Sequence, residues 1–207
     1  MKHSLKLHTL APLCALTIVL AGCTFLQPVP DHTRYFLLTA MPSAQSAPIG
    51  RNTSALVLGL GPVKLPDYLD RSEIVTRTQS NQVQFSDMDH WAEPLKDNFT
   101  HVLAQNLSAL LGTQQIVNFP WYSSTHIDYQ IAIAVDRFEC DWEGNARLAA
   151  RWSINNPVNG KILYRDNSDL SAPCGTNPDQ AVGALSRTAA DLSRQIAAAV
   201  AQLAVRP

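Results

Sequence analysis

Two stretches of the chain place apolar residues at the three- and four-residue spacing that buries one face of a helix. The first covers residues 93–111, with Pro94 suited to its first turn and Gly112 placed for a left-handed cap at its end. The second covers residues 178–203, and its apolar stripe is narrow and rich in alanine. Such a stripe fits core packing or contact with a partner helix, and core packing is the favoured interpretation.

Shorter apolar stretches, bounded by Gly, Pro, Asn and Ser, predict strands. They cover residues 33–39, 55–60, 73–78, 82–85, 127–138, 146–154 and 161–170. The stretch 55–60 is apolar or glycine throughout, which is typical of a strand buried on both faces. Strands 73–78 and 82–85 form a predicted hairpin, and the last three form an antiparallel meander. The pattern predicts an α+β fold in a single domain, with two main helices packed on a largely antiparallel mixed sheet.

The first 22 residues have the form of a signal peptide. Lys2 and Lys6 give a basic start, and an apolar stretch over residues 10–21 follows that is too short for a normal bilayer span. Residues 20–23 read Leu-Ala-Gly-Cys, which resembles the lipobox of bacterial lipoproteins. This motif predicts cleavage before Cys23, with S-diacylglycerol and N-acyl lipid attached to Cys23. The alternative is an ordinary secreted protein that is cut nearby.

Three regions follow from this assignment: a lipoprotein signal peptide at 1–22, a lipidated N-terminus and tether at 23–32, and one α+β domain at 33–207. The nine residues 24–32 include two prolines and reach at most about 30 Å, so the folded body stays close to its leaflet. Thr24, rather than aspartate, follows the cysteine. By analogy with enterobacterial lipoproteins, this implies the outer membrane, with the domain facing the periplasm.

Charge argues against a nucleic-acid partner. Residues 1–22 hold two of the 16 Lys and Arg residues and no acid, which leaves 14 basic and 17 acidic residues after cleavage, a net charge of minus three. The basic residues are scattered singly, whereas a polyanion binder needs them clustered. No nucleic acid is therefore expected among the partners.

Cysteine usage favours a disulfide. Cys14 leaves with the signal peptide and Cys23 takes the lipid, so Cys140 and Cys174 remain in an oxidising compartment. A disulfide between them is the favoured interpretation, with two free thiols or a metal site as the alternatives.

Motifs for catalysis are missing from the sequence. It contains no Gly-x-Ser-x-Gly, His-Glu-x-x-His, phosphate-binding Gly-Lys-Ser or Cys-x-x-Cys motif, so we expect no enzyme activity, no catalytic residues, no metal and no cofactor beyond the covalent lipid. Residues 87–90, Asp-Met-Asp-His, lack the further ligands of a calcium loop and are interpreted as a solvated turn. Asp136, Glu139, Asp141 and Glu143 are interpreted as an exposed acidic edge.

Aromatic and proline residues mark candidate contact points. Trp91 and Trp121 either seal the two ends of the first helix against the sheet or anchor a partner protein, since aromatic residues dominate interface hot spots. The segment 61–71, Gly-Pro-Val-Lys-Leu-Pro-Asp-Tyr-Leu-Asp-Arg, has two prolines that limit backbone freedom. It is either a preorganised contact surface or a turn stabilised inside the monomer.

Six segments together carry a family resemblance: residues 35–38 (Tyr-Phe-Leu-Leu), 61–71, 74–77 (Ile-Val-Thr-Arg), 91–95 (Trp-Ala-Glu-Pro-Leu), 119–121 (Phe-Pro-Trp) and 128–131 (Asp-Tyr-Gln-Ile). They resemble the PqiC/YmbA-like lipoproteins, the auxiliary component of MCE-type ABC transport systems. The resemblance covers most of residues 34–154, whereas the region after about residue 160 matches only in its helical character.

This resemblance implies a docking or scaffold role. The partner would be an MCE-domain protein that carries lipids between the inner and outer membranes, and the lipoprotein would form a homo-oligomer. The candidate partner-binding residues are Leu65, Pro66, Tyr68, Trp91, Pro94, Pro120 and Trp121. A periplasmic lipid-binding carrier and an envelope hydrolase are the alternatives.

Overall fold

The computed structural model describes residues 31–42, 49 and 53–205. The predicted signal peptide, the lipidation site Cys23 and most of the tether lie outside the described residues. The unit that begins at Thr33 is the folded domain, and its helices and strands are given below.

Eight strands and two helices make up the described part of this unit. The strands are β1 (Arg34–Phe36), β2 (Leu58–Lys64), β3 (Glu73–Gln79), β4 (Gln82–Trp91), β5 (Ile116–Asn118), β6 (Tyr129–Cys140), β7 (Asn145–Asn155) and β8 (Ile162–Pro173). The helices are α1 (Leu95–Leu111) and α2 (Pro178–Ala204), and a 3-10 turn covers Asp67–Leu69.

The sheet is built around β6. One edge of β6 pairs with β7, which pairs with β8, and both pairings are antiparallel. The other edge of β6 is shared by two strands, with β2 beside residues Tyr129–Ala134 and β3 beside Cys140. Strand β5 lies parallel to β2, while β4 and then β1 extend the sheet from β3. The long ladders are antiparallel, which confirms the predicted α+β class, the hairpin and the meander.

Both helices pack on one face of this sheet. On β6, Ile131, Ile133 and Val135 are buried at alternate positions, and a β-bulge after Val135 returns Phe138 to the same face. The Phe138 ring meets the Phe99 ring of α1 edge-to-face with their centroids 5.0 Å apart. The predicted stripe of α2 is buried in the same core, which confirms core packing; its members include Val182, Leu185, Leu192, Ile196 and Val200.

Local signals at the helix ends have clear structural counterparts. Helix α1 begins directly after Pro94, which is the N-cap, and ends at Gly112, whose φ of 68° is left-handed. Helix α2 is capped by Asn177, whose side chain accepts a hydrogen bond from the Gln180 N–H over 2.9 Å. Both predicted helices are therefore correct to within two residues.

The disulfide is confirmed. Cys140 at the end of β6 is bonded to Cys174 just after β8, and their Cα atoms are 6.3 Å apart. Both residues are buried, and the bond links the end of β6 to the end of β8, the two strands that flank β7.

Several strand boundaries differ from the prediction. Strand β1 is only three residues long, β2 continues through the Gly61-Pro62 peptide to Lys64, and β5 had no prediction. Strand β4 extends to Trp91, so residues 87–90 lie in a strand and their interpretation as a solvated turn is wrong. Asp89 is held there by an ion pair with Arg34.

Candidate docking surface

The face of the sheet away from the helices is the outer face, and it carries most of the predicted contact residues. Residues alternate along each strand, so Gly59 of β2 and Ala132, Ala134 and Glu139 of β6 point away from the helices. In the part of the chain that the structure describes, this face is covered at two places. Between them, a concave region of about 530 Å³ stays open.

The first covered place is formed by the aromatic side chains of Phe119 and Trp121. The Trp121 side chain lies on Gly59, where an added Cβ would come within 2.8 Å of Trp121 Cη2 and 2.9 Å of Ile127 Cδ1. The Phe119 ring packs edge-to-face on Trp121 with centroids 5.3 Å apart, and the Phe119 N–H donates to the Leu60 carbonyl over 2.9 Å. Glycine at position 59 therefore makes room for the Trp121 ring.

This aromatic place remains accessible from outside. Phe119 is 52% exposed, Pro120 is exposed and Trp121 is half-buried. Trp121 lies against strand β2 at Gly59, and the neighbouring Phe119 and Pro120 line a cavity with Lys96 and His101 of α1. The role of Trp121 as a seal or as a partner anchor stays a prediction. An aromatic pair that is fixed on a strand and half-open to solvent has the character of an interface anchor.

The second covered place is the 3-10 turn after β2. The Tyr68 hydroxyl donates a hydrogen bond of 2.7 Å to Glu139 Oε2, and Arg77 Nε donates to Glu139 Oε1 over 2.7 Å. Arg137 Nε reaches the same Oε1 atom over 3.0 Å. The Glu139 side chain is 0% exposed, so this is a buried carboxylate held by two arginines and a tyrosine.

Electrostatics at this cluster follow from its burial. Desolvation first, and then the hydrogen bond to Glu139, raise the pKa of Tyr68 to about 12. Desolvation alone would raise the pKa of Glu139, but the hydrogen bonds from Arg77, Tyr68 and Arg137 outweigh it, and the pKa of this carboxyl lies below its ordinary value. At neutral pH the cluster therefore holds an ionised Glu139 and a neutral Tyr68.

The Tyr68 cluster fixes the position of the predicted contact segment. Tyr68 is half-buried, and Leu65 and Pro66, which precede it, are also half-buried. The Arg71 guanidinium stacks over the Phe85 ring, 3.7 Å from its centroid, and Arg71 Nε donates to the Tyr68 carbonyl over 3.0 Å. The segment is thus ordered by contacts within the monomer, as the interpretation of residues 61–71 as a stabilised turn expected, and its use as a contact surface stays a prediction.

The two covered places lie at opposite ends of the outer face. Gly59, under Trp121, pairs with Gln130, whereas Tyr68 bonds to Glu139. Nine residues of β6 separate these positions, a distance of about 30 Å. The open region between them is lined by the small Ala132 and Ala134 and by three basic residues, Lys64, Arg151 and Arg165.

Trp91 and Pro94 are not part of this surface. Trp91 is 5% exposed and belongs to the core at the end of β4, as the sealing interpretation expected for this tryptophan. Pro94 is exposed at the start of α1, on the helix side of the sheet. We therefore define the docking surface as Leu65, Pro66, Tyr68, Pro120 and Trp121 together with the open region between them.

The predicted exposed acidic edge is wrong for two of its four residues. Glu139 is fully buried and Asp141 is 7% exposed, while Asp136 and Glu143 are exposed. Each carboxylate is paired with arginine: Asp136 with Arg151 over 2.8 Å, Asp141 with Arg147 over 3.0 Å and Glu143 with Arg147 over 3.3 Å. No local pattern indicates that Glu139 is buried, because its partners Tyr68 and Arg77 are distant in sequence.

Among residues 31–42, 49 and 53–205, no three His, Cys, Asp or Glu side chains are grouped so that they could hold a metal ion. Within the same ranges, neither helix combines the length and the apolar character needed to cross a membrane.

Comparison with known proteins identifies the family. Residues 35–197 match the model of the ABC-type transport auxiliary lipoprotein component, and the chain belongs to this family. No curated protein matches the sequence significantly.

Solved structures share the fold. A crystal structure of an uncharacterised protein is 22% identical with a TM-score of 0.66, covering 81% of this chain and 98% of that one. Protein XCC0632 from Xanthomonas campestris is 14% identical with a TM-score of 0.66, covering 82% and 95%. A PelC dodecamer from Paraburkholderia phytofirmans is more distant, at 12% identity and a TM-score of 0.42 over 73% of this chain and 92% of that one.

Proposed function

We propose that the protein is an outer-membrane lipoprotein, acylated at Cys23, that docks an MCE-domain protein of an ABC-type lipid transport system on the periplasmic side. The family is an auxiliary component of ABC-type transport, and the lipobox at residues 20–23 supports the acyl anchor. Two or three acyl chains hold such a protein on a membrane effectively permanently, since each buried methylene contributes roughly 0.8 kcal/mol. Thr24 supports the outer membrane as the destination.

The observation that carries the docking role is the half-open aromatic pair Phe119 and Trp121, which is packed on strand β2. A docking element needs side chains that are ordered before the partner arrives, because ordering them on binding costs affinity. At the other end of the docking surface, the hydrogen bonds of Tyr68 and Arg77 to Glu139 likewise fix the side chains before a partner binds. Between these ends, Arg151 is paired with Asp136 and Asp166 also lines the region, which leaves Lys64 and Arg165 to meet a carboxylate of a partner segment.

Self-association is part of the proposal. MCE-type transport proteins are symmetric oligomers, and a lipoprotein that docks one of them would present matching copies around the same axis. Analytical ultracentrifugation of the detergent-solubilised, acylated protein tests this: one species at several times the monomer mass supports it, and a monomer at every concentration contradicts it.

A lipid carrier is the alternative, and it fits the outer face less well. A carrier needs an enclosed apolar cavity for acyl chains. The open region on the outer face is lined by Lys64, Arg151, Arg165 and Asp166 and is continuous with solvent. Native mass spectrometry of the purified protein separates the two roles, because a carrier would show the added mass of a bound phospholipid.

Site-specific photocrosslinking tests the docking role. A photoreactive amino acid at Pro120 is expected to crosslink the MCE-domain protein in intact cells. The matched control is Val158, which is 91% exposed in the β7–β8 turn and is expected to give no such product. Equal crosslinking from the two positions, or none from Pro120, would contradict docking through this surface.

A further inference from the structure

The place where the chain enters the fold is rigid. The backbone N–H of Leu38 donates to Asn98 Oδ1 over 2.6 Å, and that of Met41 donates to Asn106 Oδ1 over 2.8 Å, both on α1. The N–H of Thr39 donates to Ser186 Oγ of α2 over 3.1 Å. Both helices therefore clamp the segment directly after β1.

The same segment exposes two large side chains. Tyr35 is 67% exposed and Leu37 is 46% exposed, whereas Leu38, the first of the clamped residues, is buried. Tyr35 lies in the edge strand β1, and Leu37 is the first residue after that strand. Met88, two residues before the His90 that pairs with Tyr35, is 42% exposed. We call Tyr35, Leu37 and Met88 the entry patch.

The composition of the entry patch suits a membrane interface. Tyrosine has an apolar ring and a polar hydroxyl, and it is enriched where headgroups meet acyl chains. The neighbouring Arg34 is paired with Asp89 over 2.6 Å, so the entry patch consists of uncharged side chains alone. A group of exposed apolar side chains at an ordered part of the chain indicates an interaction surface, whereas single exposed apolar residues are common on any protein.

The number of residues between Cys23 and Tyr35 limits how far this patch can lie from the lipid. Tyr35 follows the predicted acylation site by 12 residues, a reach of about 40 Å at full extension, and any shorter path brings it nearer. We propose that the entry patch rests on the phospholipid surface of the leaflet that holds the acyl chains, so that the lipid anchor and the patch together fix the orientation of the domain. This inference rests on the proposed lipidation of Cys23.

Topology supplies a distant control position. Strands β1, β4 and β3 extend from the Cys140 end of β6, whereas the β7–β8 turn that holds Val158 lies beyond the Tyr129 end. These ends are separated by the 12 residues of β6, about 40 Å. A domain that swings freely on its tether would already bring position 37 nearer to the bilayer than position 158, so the measurement that separates contact from tethering is the effect of removing the Tyr35 ring.

Fluorescence quenching tests the proposal on the full acylated protein in vesicles of phosphatidylethanolamine and phosphatidylglycerol. Leu37→Cys or Val158→Cys supplies one reactive thiol for an environment-sensitive label, because Cys140 and Cys174 are bonded to each other. Phospholipids with a nitroxide on the headgroup are expected to quench the label at position 37 several-fold more than at position 158. Adding Tyr35→Ser is expected to reduce that difference, and adding Ile162→Ser, exposed at the start of β8, is expected to leave it unchanged.

Two different results would overturn the inference. Equal quenching at both positions, or a difference that Tyr35→Ser leaves unchanged, with the protein floating with the vesicles, means that the domain is tethered without contact through this patch, and the proposed function stands. Failure to float means that the lipid anchor itself is absent, which removes the premise of the inference and the proposed membrane attachment together. Flotation is measured separately from quenching, so the two failures are distinguishable.

Discussion

The Tyr68 hydroxyl donates a 2.7 Å hydrogen bond to the fully buried Glu139 carboxylate across 71 residues of sequence. This bond holds the turn after β2 on the outer face. It thereby fixes the position of Leu65 and Pro66, which precede Tyr68 in the docking surface. A buried carboxylate depends on such donors, because an unpaired charge away from water is strongly unfavourable.

Tyr68→Phe removes this donor and keeps the ring. We expect the free energy of unfolding to fall by about 1.5–3 kcal/mol, as for a hydrogen bond to a charged group. Tyr164→Phe is the matched control, because the Tyr164 hydroxyl makes only a 3.4 Å contact with the exposed Asp166. Urea denaturation of the three proteins measures the effect, and equal losses for the two variants would contradict the role of Tyr68.

Glu139 also predicts a dependence on pH. Its folded-state pKa lies below the ordinary value of 4.5, so its stabilising contribution is fully present above about pH 4.5 and is lost as the pH falls through the folded-state pKa. The difference in unfolding free energy between wild type and Glu139→Gln should be about 3–5 kcal/mol at pH 7 and should shrink in acid. Asp169→Asn, at an exposed position of β8, is the control. A difference that stays constant from pH 7 to pH 3 would contradict this account.

Reduction of the disulfide is expected to destabilise the domain. Cys140 and Cys174 are 34 residues apart, and opening a loop of that length costs about 3–4 kcal/mol in the chain-entropy model. The urea midpoint should therefore fall on addition of dithiothreitol and in a Cys140→Ala, Cys174→Ala double variant, by similar amounts. In that variant dithiothreitol should have no further effect. An unchanged midpoint in both cases would show that the bond contributes little.

Adding a methyl group at Gly59 is expected to disturb the packing of the aromatic end of the docking surface. Gly59→Ala forces Trp121 or Ile127 to move, with an expected loss of about 1–3 kcal/mol and reduced binding of the partner. Gly183→Ala, in α2, is the contrasting change: its Cβ would meet only Arg187 Nη1 at 3.6 Å, so it should stabilise the protein by about 0.5–1 kcal/mol. Thermal denaturation compares them, and shifts in the same direction would contradict the packing described here.

Much of the fold was predictable because its signals are local. The spacing of Phe99, Leu103 and Leu107 repeats with the helix period, and the alternation of Ile131, Ile133 and Val135 repeats with the strand period. The disulfide followed from the number of cysteines and the compartment. Strand β5 has only three residues, Ile116–Asn118, too few to establish a period, and its existence depends on the neighbouring β2.

The candidate site was harder to predict because its order comes from distant residues. The sequence marked residues 61–71 and 119–121, yet Trp91 has the same aromatic and proline surroundings and lies in the core. Glu139 is bound by Arg77 and Tyr68, which are 62 and 71 residues away, and no local pattern joins them. Which tryptophan is exposed and which carboxylate is buried are decided by tertiary packing.

The central claim is that an acyl anchor on Cys23 fixes this domain to the membrane where it serves transport. Cys23→Ser, expressed in a strain that lacks the native gene, tests it most directly by membrane fractionation together with recovery of the envelope barrier. We predict that the variant appears folded in the soluble periplasmic fraction and fails to restore the barrier, whereas wild type is in the outer-membrane fraction and restores it. A variant that stays in the membrane fraction and restores the barrier fully would contradict the account.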